Sequence, residues 1–183
     1  MKEFDADQIS TLSAFVDAER FSTGRSNREL QLHDISAHRG IMPAGIIWPI
    51  TTQEISEILI WAYAQDIPVT PCGAGTSTEG NPVPTRGGLV LDMTRMSKIL
   101  EIRSQDLQAD VQPGVPQKEL NRQAGKLGLF FPPDPGADAT IGGMIANHAS
   151  GVQTIKYGAT KDYVIKPTVV LPRVNIRPGQ RIM

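Results

Sequence analysis

The sequence has a single cysteine, few aromatic residues and no long apolar run. Because Cys72 is alone, the chain can form neither an internal disulfide nor a zinc site built on several thiolates, which fits a reducing compartment. No apolar run reaches the roughly 18 to 20 residues that a membrane span requires, and the charged start MKEFDADQ lacks the hydrophobic core of a secretory signal. We expect a cytoplasmic protein with no transmembrane segment, and peripheral attachment to the inner membrane stays open as an alternative.

An excess of one charge is also missing. The 18 Lys and Arg residues are balanced by 19 Asp and Glu residues, so the formal net charge is −1 and no broad cationic surface for nucleic acid is expected. His33, His38 and His148 lack the spacing of metal ligands, and no metal site is predicted. Ser150 lies near His148, but no Ser/His/Asp arrangement is indicated. We therefore expect the partner to be a small molecule or another protein.

Glycine and proline are abundant, and they are concentrated in two segments. Residues 71–88 hold five of the 17 glycines and three of the 14 prolines, and residues 131–158 hold another five glycines and three prolines. Each segment lies between apolar stretches, and neither is a Ser/Gly tract of the kind found in flexible linkers. Both segments are therefore predicted to be shaped loops on a packed scaffold.

The remaining pattern predicts an α/β unit followed by a hairpin and further helices. Thr51 and Glu54 have the spacing of a capping box at the start of a helix that runs to residue 65. Its apolar face is expected to contain Ile55, Ile58, Leu59 and Ala62. The other predicted elements are a partly helical N-terminal arm (1–42), strands at 45–49, 67–71 and 88–93, a hairpin of 99–103 and 107–113, a polar helix (115–128), a short helix from 141, and a strand (162–172) with a proline at an edge or bulge.

The first glycine loop, PCGAGTSTEGN, has the composition of an anion-binding nest. Gly73, Gly75 and Gly80 allow backbone amides to turn inward, and Thr76 and Ser77 can add hydroxyl donors. Such a loop suits a diphosphate without help from Lys or Arg. The loop matches neither the Rossmann nor the P-loop fingerprint, so those geometries are disfavoured. A plain structural turn is the alternative.

The second loop, FFPPDPGADATIGGMIANHASG, is long, rigid and rich in small residues. Thr140 is expected to cap the short helix that follows, and Gly142 and Gly143 would let a flat ligand or a phosphate approach the backbone. An irregular surface connection is the alternative, although loops of this length are uncommon unless they are functional.

Together, PCGAGTSTEGN and DPGADATIGGMIANHASG with the following KYGATKDYV resemble the FAD-binding half of FAD-linked oxidases of the vanillyl-alcohol oxidase type. Within that family the similarity is greatest to D-lactate dehydrogenase (cytochrome) and the FAD-binding subunit of glycolate oxidase. It covers about residues 43–172, including GGLVLDMTRM and VQPGV, in family order, and it extends weakly back through RFSTG and HDISAH. The resemblance implies an α+β fold over residues 43–183: an incomplete PCMH-type FAD-binding domain, in which a small mixed α/β subdomain precedes part of a mainly antiparallel one.

The resemblance also implies the site. FAD would be held non-covalently, since members with a covalent flavin place a histidine where Thr76 stands. The first loop would hold the pyrophosphate and the second would follow the ribityl chain and ring. Tyr157 is expected to pack against the ring, and Cys72 to be a half-buried apolar residue. The implied cofactor-binding residues are Gly73, Ala74, Gly75, Thr76, Ser77 and Gly80 in the first segment, and Asp134, Pro135, Thr140, Ile141, Gly142, Gly143, Asn147, Ser150, Gly151, Tyr157 and Gly158 in the second.

The implied activity is that of a flavin-dependent oxidoreductase acting on a D-2-hydroxy acid of the D-lactate or glycolate type, with hydride transfer to flavin N5. The family continues beyond the strand around Val169 into a Gly-Ser-Glu-Gly segment and a cap domain, which these 183 residues do not contain. No catalytic residue is therefore assigned, and this chain alone is expected to be inactive. The alternative is a non-catalytic truncated remnant or subunit, which would fold with a partner or as a homo-oligomer through an unpaired sheet edge.

Overall fold

The computed structural model describes residues 3–171 and the backbone of residues 174–178. These residues form α-helices, β-strands and short 3₁₀ turns at Ala18–Arg20, Met93–Arg95 and Thr160–Asp162. The helices and strands are α1 (Ala6–Phe15), β1 (Phe21–Ser22), α2 (Arg25–Glu29), β2 (Gly45–Ile47), α3 (Thr52–Ala64), β3 (Val69–Cys72), β4 (Leu89–Asp92), β5 (Ile99–Arg103), β6 (Gln108–Val111), α4 (Gln117–Gly125), α5 (Ile141–Ala146), α6 (Thr154–Tyr157), β7 (Thr168–Leu171) and β8 (Val174–Pro178).

The first layer is a four-stranded mixed sheet in the order β1-β2-β4-β3. β2 and β3 both run parallel to β4, while β1 pairs antiparallel with β2 through Phe21 and Ile47. All four residues of β4 are buried, as expected for a strand with neighbours on both sides and a covered face. The predicted small mixed α/β subdomain is confirmed.

Helix α3 covers this sheet with the apolar face that the sequence predicted. Ile55 and Ile58 are buried in a core with Ile47 and Leu89 from the sheet. Thr51 caps the helix, because its Oγ1 accepts a hydrogen bond from the Glu54 amide at 3.1 Å.

The reciprocal half of the predicted capping box is absent. Glu54 Oε2 accepts from the Ile50 amide at 2.7 Å, one residue before the cap, and from Arg20 Nη1 at 2.8 Å. Arg20 is only 6% exposed, so its guanidinium needs this carboxylate as a buried partner, and that demand draws Glu54 away from the amide of Thr51.

The N-terminal segment packs into the same layer. Leu12 of α1 is fully buried in the α3 core, and the rings of Phe4 and Phe15 lie edge-on to Trp61, with centroids 6.4 and 6.3 Å away. The division at residue 43 stays a prediction, although the apolar packing of the first layer crosses it.

The second layer has its own core and is largely antiparallel. β5 and β6 form the predicted hairpin, and α4 and α5 bury Leu120, Ile141 and Met144 against Val115. β7 pairs antiparallel with β8, but this hairpin lies against α3 of the first layer, and Val170 of β7 packs against the first core. Among the helices of residues 3–171, none has the length and hydrophobicity needed to cross a bilayer.

The predicted strand over residues 162–172 was wrong in its first half. Residues 160–162 form a 3₁₀ turn closed by the Tyr163 amide, which donates to Thr160 O at 3.1 Å. The strand begins only at Thr168, directly after Pro167, because proline has no amide proton for a strand ladder.

Candidate functional site

The first glycine loop leaves the carboxyl end of β3, which is the edge of a parallel sheet where ligands commonly bind. Gly75 has φ +68°, and the position that a Cβ would take has no atom within 4 Å. The backbone amides of Ala74, Thr76 and Ser77 donate to no acceptor among the residues that the structure describes. A short run of unsatisfied amides around an open glycine is the arrangement that an anion needs.

Cys72, the residue before this loop, is buried, where the sequence suggested a half-buried position. Burial, together with the nearby Asp92 carboxylate, raises the pKa of the Cys72 thiol to about 12. The thiol therefore stays protonated and apolar at neutral pH, and it is a packing residue under the loop.

The second loop is anchored to the second layer at the start of α5. The amides of Ile141 and Gly142 donate to Val115 O and Pro113 O, both at 2.8 Å. A Cβ on residue 142 would lie only 2.6 Å from Pro113 Cβ, so a glycine is required there for packing. The predicted contact of Gly142 and Ile141 with a cofactor stays a prediction, and their amides already have protein acceptors.

Thr140 joins the two loops. It occupies the N-cap position of α5, but its side chain makes no capping hydrogen bond, and that part of the prediction was wrong. Its Oγ1 lies against Gly73, where any Cβ would overlap it, and 3.1 Å from the position of a Cβ on Gly143. The hydroxyl fills the space that these glycines leave, which explains why it does not turn toward the helix amides.

A pair of amide side chains makes a second connection between the loops. Asn81 Nδ2 donates to Asn147 Oδ1, and Asn147 Nδ2 donates to Gly143 O at 3.0 Å. Asn81 also approaches Ser77 Oγ at 3.4 Å. Asn147 was predicted as a site residue and Asn81 was not, because sequence spacing carries no signal for an amide pair 66 positions apart.

The end of the first loop is held by a segment that sequence reasoning did not assign to the site. Asp34 Oδ2 accepts from the Gly80 amide at 2.8 Å, and the Ile35 amide donates to Ser77 O at 3.0 Å. Burial opposes the charge on Asp34, but hydrogen bonds from Ser36 and Gly80 outweigh it and hold the pKa of this carboxyl below its usual value. Gly80 has φ +77°, and a Cβ there would lie 2.6 Å from His38 Cδ2.

The remaining predicted residues form a separate group in the second segment. Gly151 fits against Asp134 O with no room for a Cβ, and Gly158 has φ +86° at the end of α6. The Tyr157 ring lies edge-on to Phe130, with centroids 5.5 Å apart. Pro135 is half-buried and Ser150 is exposed. Within residues 3–171, no hydrogen bond joins this group to the first loop.

A family model described as an FAD binding domain matches residues 43–177. The chain belongs to this FAD binding domain family. The glycolate oxidase subunit GlcD of Bacillus subtilis (strain 168) is 41% identical over 167 residues, which are 90% of this chain and 36% of that protein. The probable mitochondrial D-lactate dehydrogenase of Danio rerio is 33% identical over 163 residues, 89% of this chain and 33% of that protein. This chain therefore spans about a third of the length of these curated relatives.

Solved structures show the same fold. An alkyldihydroxyacetonephosphate synthase superposes with a TM-score of 0.88 over 98% of this chain and 39% of its own, at 23% identity. The p-cresol methylhydroxylase gives a TM-score of 0.80 over 93% of this chain and 34% of its own, at 18% identity. The predicted PCMH-type FAD-binding fold is thus confirmed, and FAD is the expected cofactor.

Proposed function

We propose that this chain is the FAD-binding portion of a flavin-dependent oxidoreductase that acts on a D-2-hydroxy acid of the D-lactate or glycolate type. The observation that carries the proposal is the convergence of two glycine loops from different layers, one of which has backbone amides that donate to no acceptor in the described part of the chain. The similarity to proteins named glycolate oxidase and D-lactate dehydrogenase supports the substrate class.

The chain's own residues fit the pyrophosphate of FAD. The amides of Ala74, Thr76 and Ser77 would donate to its oxygens, and Gly75 leaves open space where any other residue would place a side chain. The second segment would follow the ribityl chain and ring. When bound, the flavin would supply the oxidising chemistry, while these residues hold and orient it.

Attachment of the flavin is proposed to be non-covalent. By the resemblance, Thr76 stands where a covalent member would have a histidine, and a threonine side chain does not bond to the ring. Acid precipitation of the reconstituted protein is expected to release all of the flavin into the supernatant. A flavin that stays with the precipitated chain, seen as added mass, would contradict this.

Reconstitution with FAD tests the cofactor proposal. The purified chain is expected to take up FAD and show flavin absorbance after gel filtration. Thr76→Asp, which puts a carboxylate among the phosphate donors, is expected to weaken binding by about a hundredfold through like-charge repulsion. Thr85→Asp, at an exposed position in the next turn, makes the same chemical change and should bind as the wild type does. A folded wild-type chain that binds no FAD would refute the proposal.

The substrate class needs a separate test, because no residue of this chain is assigned to the substrate carboxylate. Anaerobic D-lactate or glycolate is expected to leave the flavin on this chain oxidised. If the encoding gene continues in frame, the flavin of its full product should be bleached by D-lactate or glycolate and much more slowly by L-lactate. Equal rates of flavin bleaching by D-lactate and L-lactate would contradict the D-2-hydroxy-acid assignment.

A non-catalytic subunit that associates through its sheet edges is the second candidate. In the part of the chain that the structure describes, β5–β6 and β7–β8 are separate two-stranded hairpins, so each keeps outer edges without a neighbouring strand. Light scattering should then give a dimer or larger species of this chain. A monomer that carries bound FAD would argue against this candidate.

A further inference from the structure

We propose that residues 34–38, here called the brace, are a positioning element for the phosphate-binding part of the first loop. The brace precedes the stretch matched by the FAD binding domain model, which begins at residue 43. The proposal rests on the proposed FAD function, since it assigns to the brace the task of holding the cofactor's loop in shape.

The contacts place the brace at the far end of the loop. The near end is fixed by β3, which ends at Cys72. The far end is fixed by Asp34, which accepts from the Gly80 amide at 2.8 Å, and by Ile35, which donates to Ser77 O at 3.0 Å. The unsatisfied amides lie between Cys72 and Gly80, and the last of them belongs to Ser77, whose carbonyl oxygen accepts from the brace. A loop tied at both ends has fewer conformations to lose when its ligand binds, so its affinity is higher.

The chemistry of residue 34 requires a carboxylate. Its Oδ1 accepts from the Ser36 amide at 2.8 Å and from Ser36 Oγ at 2.5 Å, while its Oδ2 takes the Gly80 amide. Both oxygens thus face donors, and the NH₂ group of an asparagine would face a donor at one of these positions. The Gly80 amide is also occupied by this contact, so we assign Gly80 to loop positioning and not to phosphate binding.

The fit at Gly80 makes the brace specific to this loop conformation. Its φ of +77° favours glycine, and a Cβ there would lie 2.6 Å from Cδ2 of His38, at the other end of the brace. The brace and the loop therefore fit together only when the loop has this shape.

Asp34→Ala tests the proposal, with Asp106→Asn as the control. Asp106 lies in the exposed turn between β5 and β6, and its replacement also removes one negative charge. In the FAD-free protein, backbone ¹⁵N order parameters at residues 74–78 are expected to be near the rigid value of about 0.85 in the wild type and in Asp106→Asn, and below about 0.6 in Asp34→Ala. The dissociation constant for FAD should rise about tenfold in Asp34→Ala only.

Asp34→Asn is the second variant in case the alanine variant does not fold, and a smaller change in the same direction is expected. Order parameters of the loop that match the wild type in the folded variant would overturn the proposal, as would a mobile loop with unchanged FAD affinity. If the wild type binds no FAD, the proposed function fails, and the order parameters still decide whether the brace shapes the loop.

Discussion

Replacing Gly73 by alanine should separate a steric role of this glycine from a conformational one. A Cβ at position 73 would overlap Thr140 Oγ1 but would lie 3.5 Å from Thr140 Cβ and 3.6 Å from Cγ2, which are ordinary contacts. The conflict is therefore confined to one atom. Thr140 is only 3% exposed and β-branched, so one of its other two rotamers would place the methyl group where the hydroxyl was, and either would move a heavy atom into a filled site.

The expected cost follows from this geometry. Overpacking of a filled site costs about 1–3 kcal/mol, and the lower chain entropy of an unfolded alanine variant returns about 0.4–1 kcal/mol. A net loss of roughly 1–2 kcal/mol should lower Tm by about 2–8 °C for a chain of this size. Thr140→Ala alone should cost about 1 kcal/mol for a buried methyl group, since its hydroxyl makes no capping hydrogen bond.

Thermal unfolding of the two single variants and the double variant measures the effect. The Gly73→Ala, Thr140→Ala double variant should be more stable than the sum of the single changes predicts, because the overlapping atom is gone. Gly75→Ala is the matched control. Its Cβ would meet nothing within 4 Å, but its φ of +68° costs about 1–2 kcal/mol, and Thr140→Ala should not relieve that strain.

Additive losses in the Gly73 and Thr140 cycle would contradict this prediction, since they would show that Thr140 does not limit the size of residue 73. Relief of Gly75→Ala by Thr140→Ala would refute it as well, because the two glycines would then share one cause.

Three further predictions each concern a single residue. Cys72, whose pKa is raised to about 12 by burial, should react slowly with a thiol reagent near pH 8 in the folded protein and rapidly in denaturant; fast reaction in both would contradict the buried position. Hydrogen bonds from Arg122 and Gln123 lower the pKa of Glu119 from 4.5 to about 2. The stability that the charged Glu119 contributes should therefore be complete above pH 4.5 and lost as the pH falls to 2. The Tm difference between wild type and Glu119→Gln should shrink over that range, and a constant difference would contradict the assignment. Gly151→Ala should lower Tm more than Gly73→Ala, because its Cβ would overlap backbone; an equal or smaller loss would mean that this backbone moves easily.

Local patterns were enough to predict much of the scaffold. The spacing of Ile55 and Ile58 after a Thr51 cap identified α3, since helix periodicity and capping act within a few residues of each other. The polar turn between two β-rich runs likewise predicted the β5–β6 hairpin, because the residues of a hairpin are close together in sequence. The strand over residues 162–172 was drawn too long because apolar residues stand on both sides of Pro167, and only the proline marks the break.

The contacts that shape the site could not be predicted in this way. Asp34 meets Gly80 across 46 positions, and Gly142 meets Pro113 across another long interval. A contact between distant segments can require a glycine or an acidic residue at one position, but the sequence does not indicate which residue it contacts. The family resemblance assigned most of these glycines to ligand contact, whereas the structure shows that several are required by neighbouring protein atoms.

The two loops are attached to different hydrophobic cores, so the site would be lost when either core opens alone. The first loop is carried by the core around Ile58 and Leu89, and the second by the core around Leu120 and Met144. Opening of the smaller second core would withdraw Thr140 from Gly73 while the first sheet stays folded. FAD would then be released at a lower temperature than that of global unfolding, and the stability of the second core would set the highest temperature at which the protein keeps its cofactor.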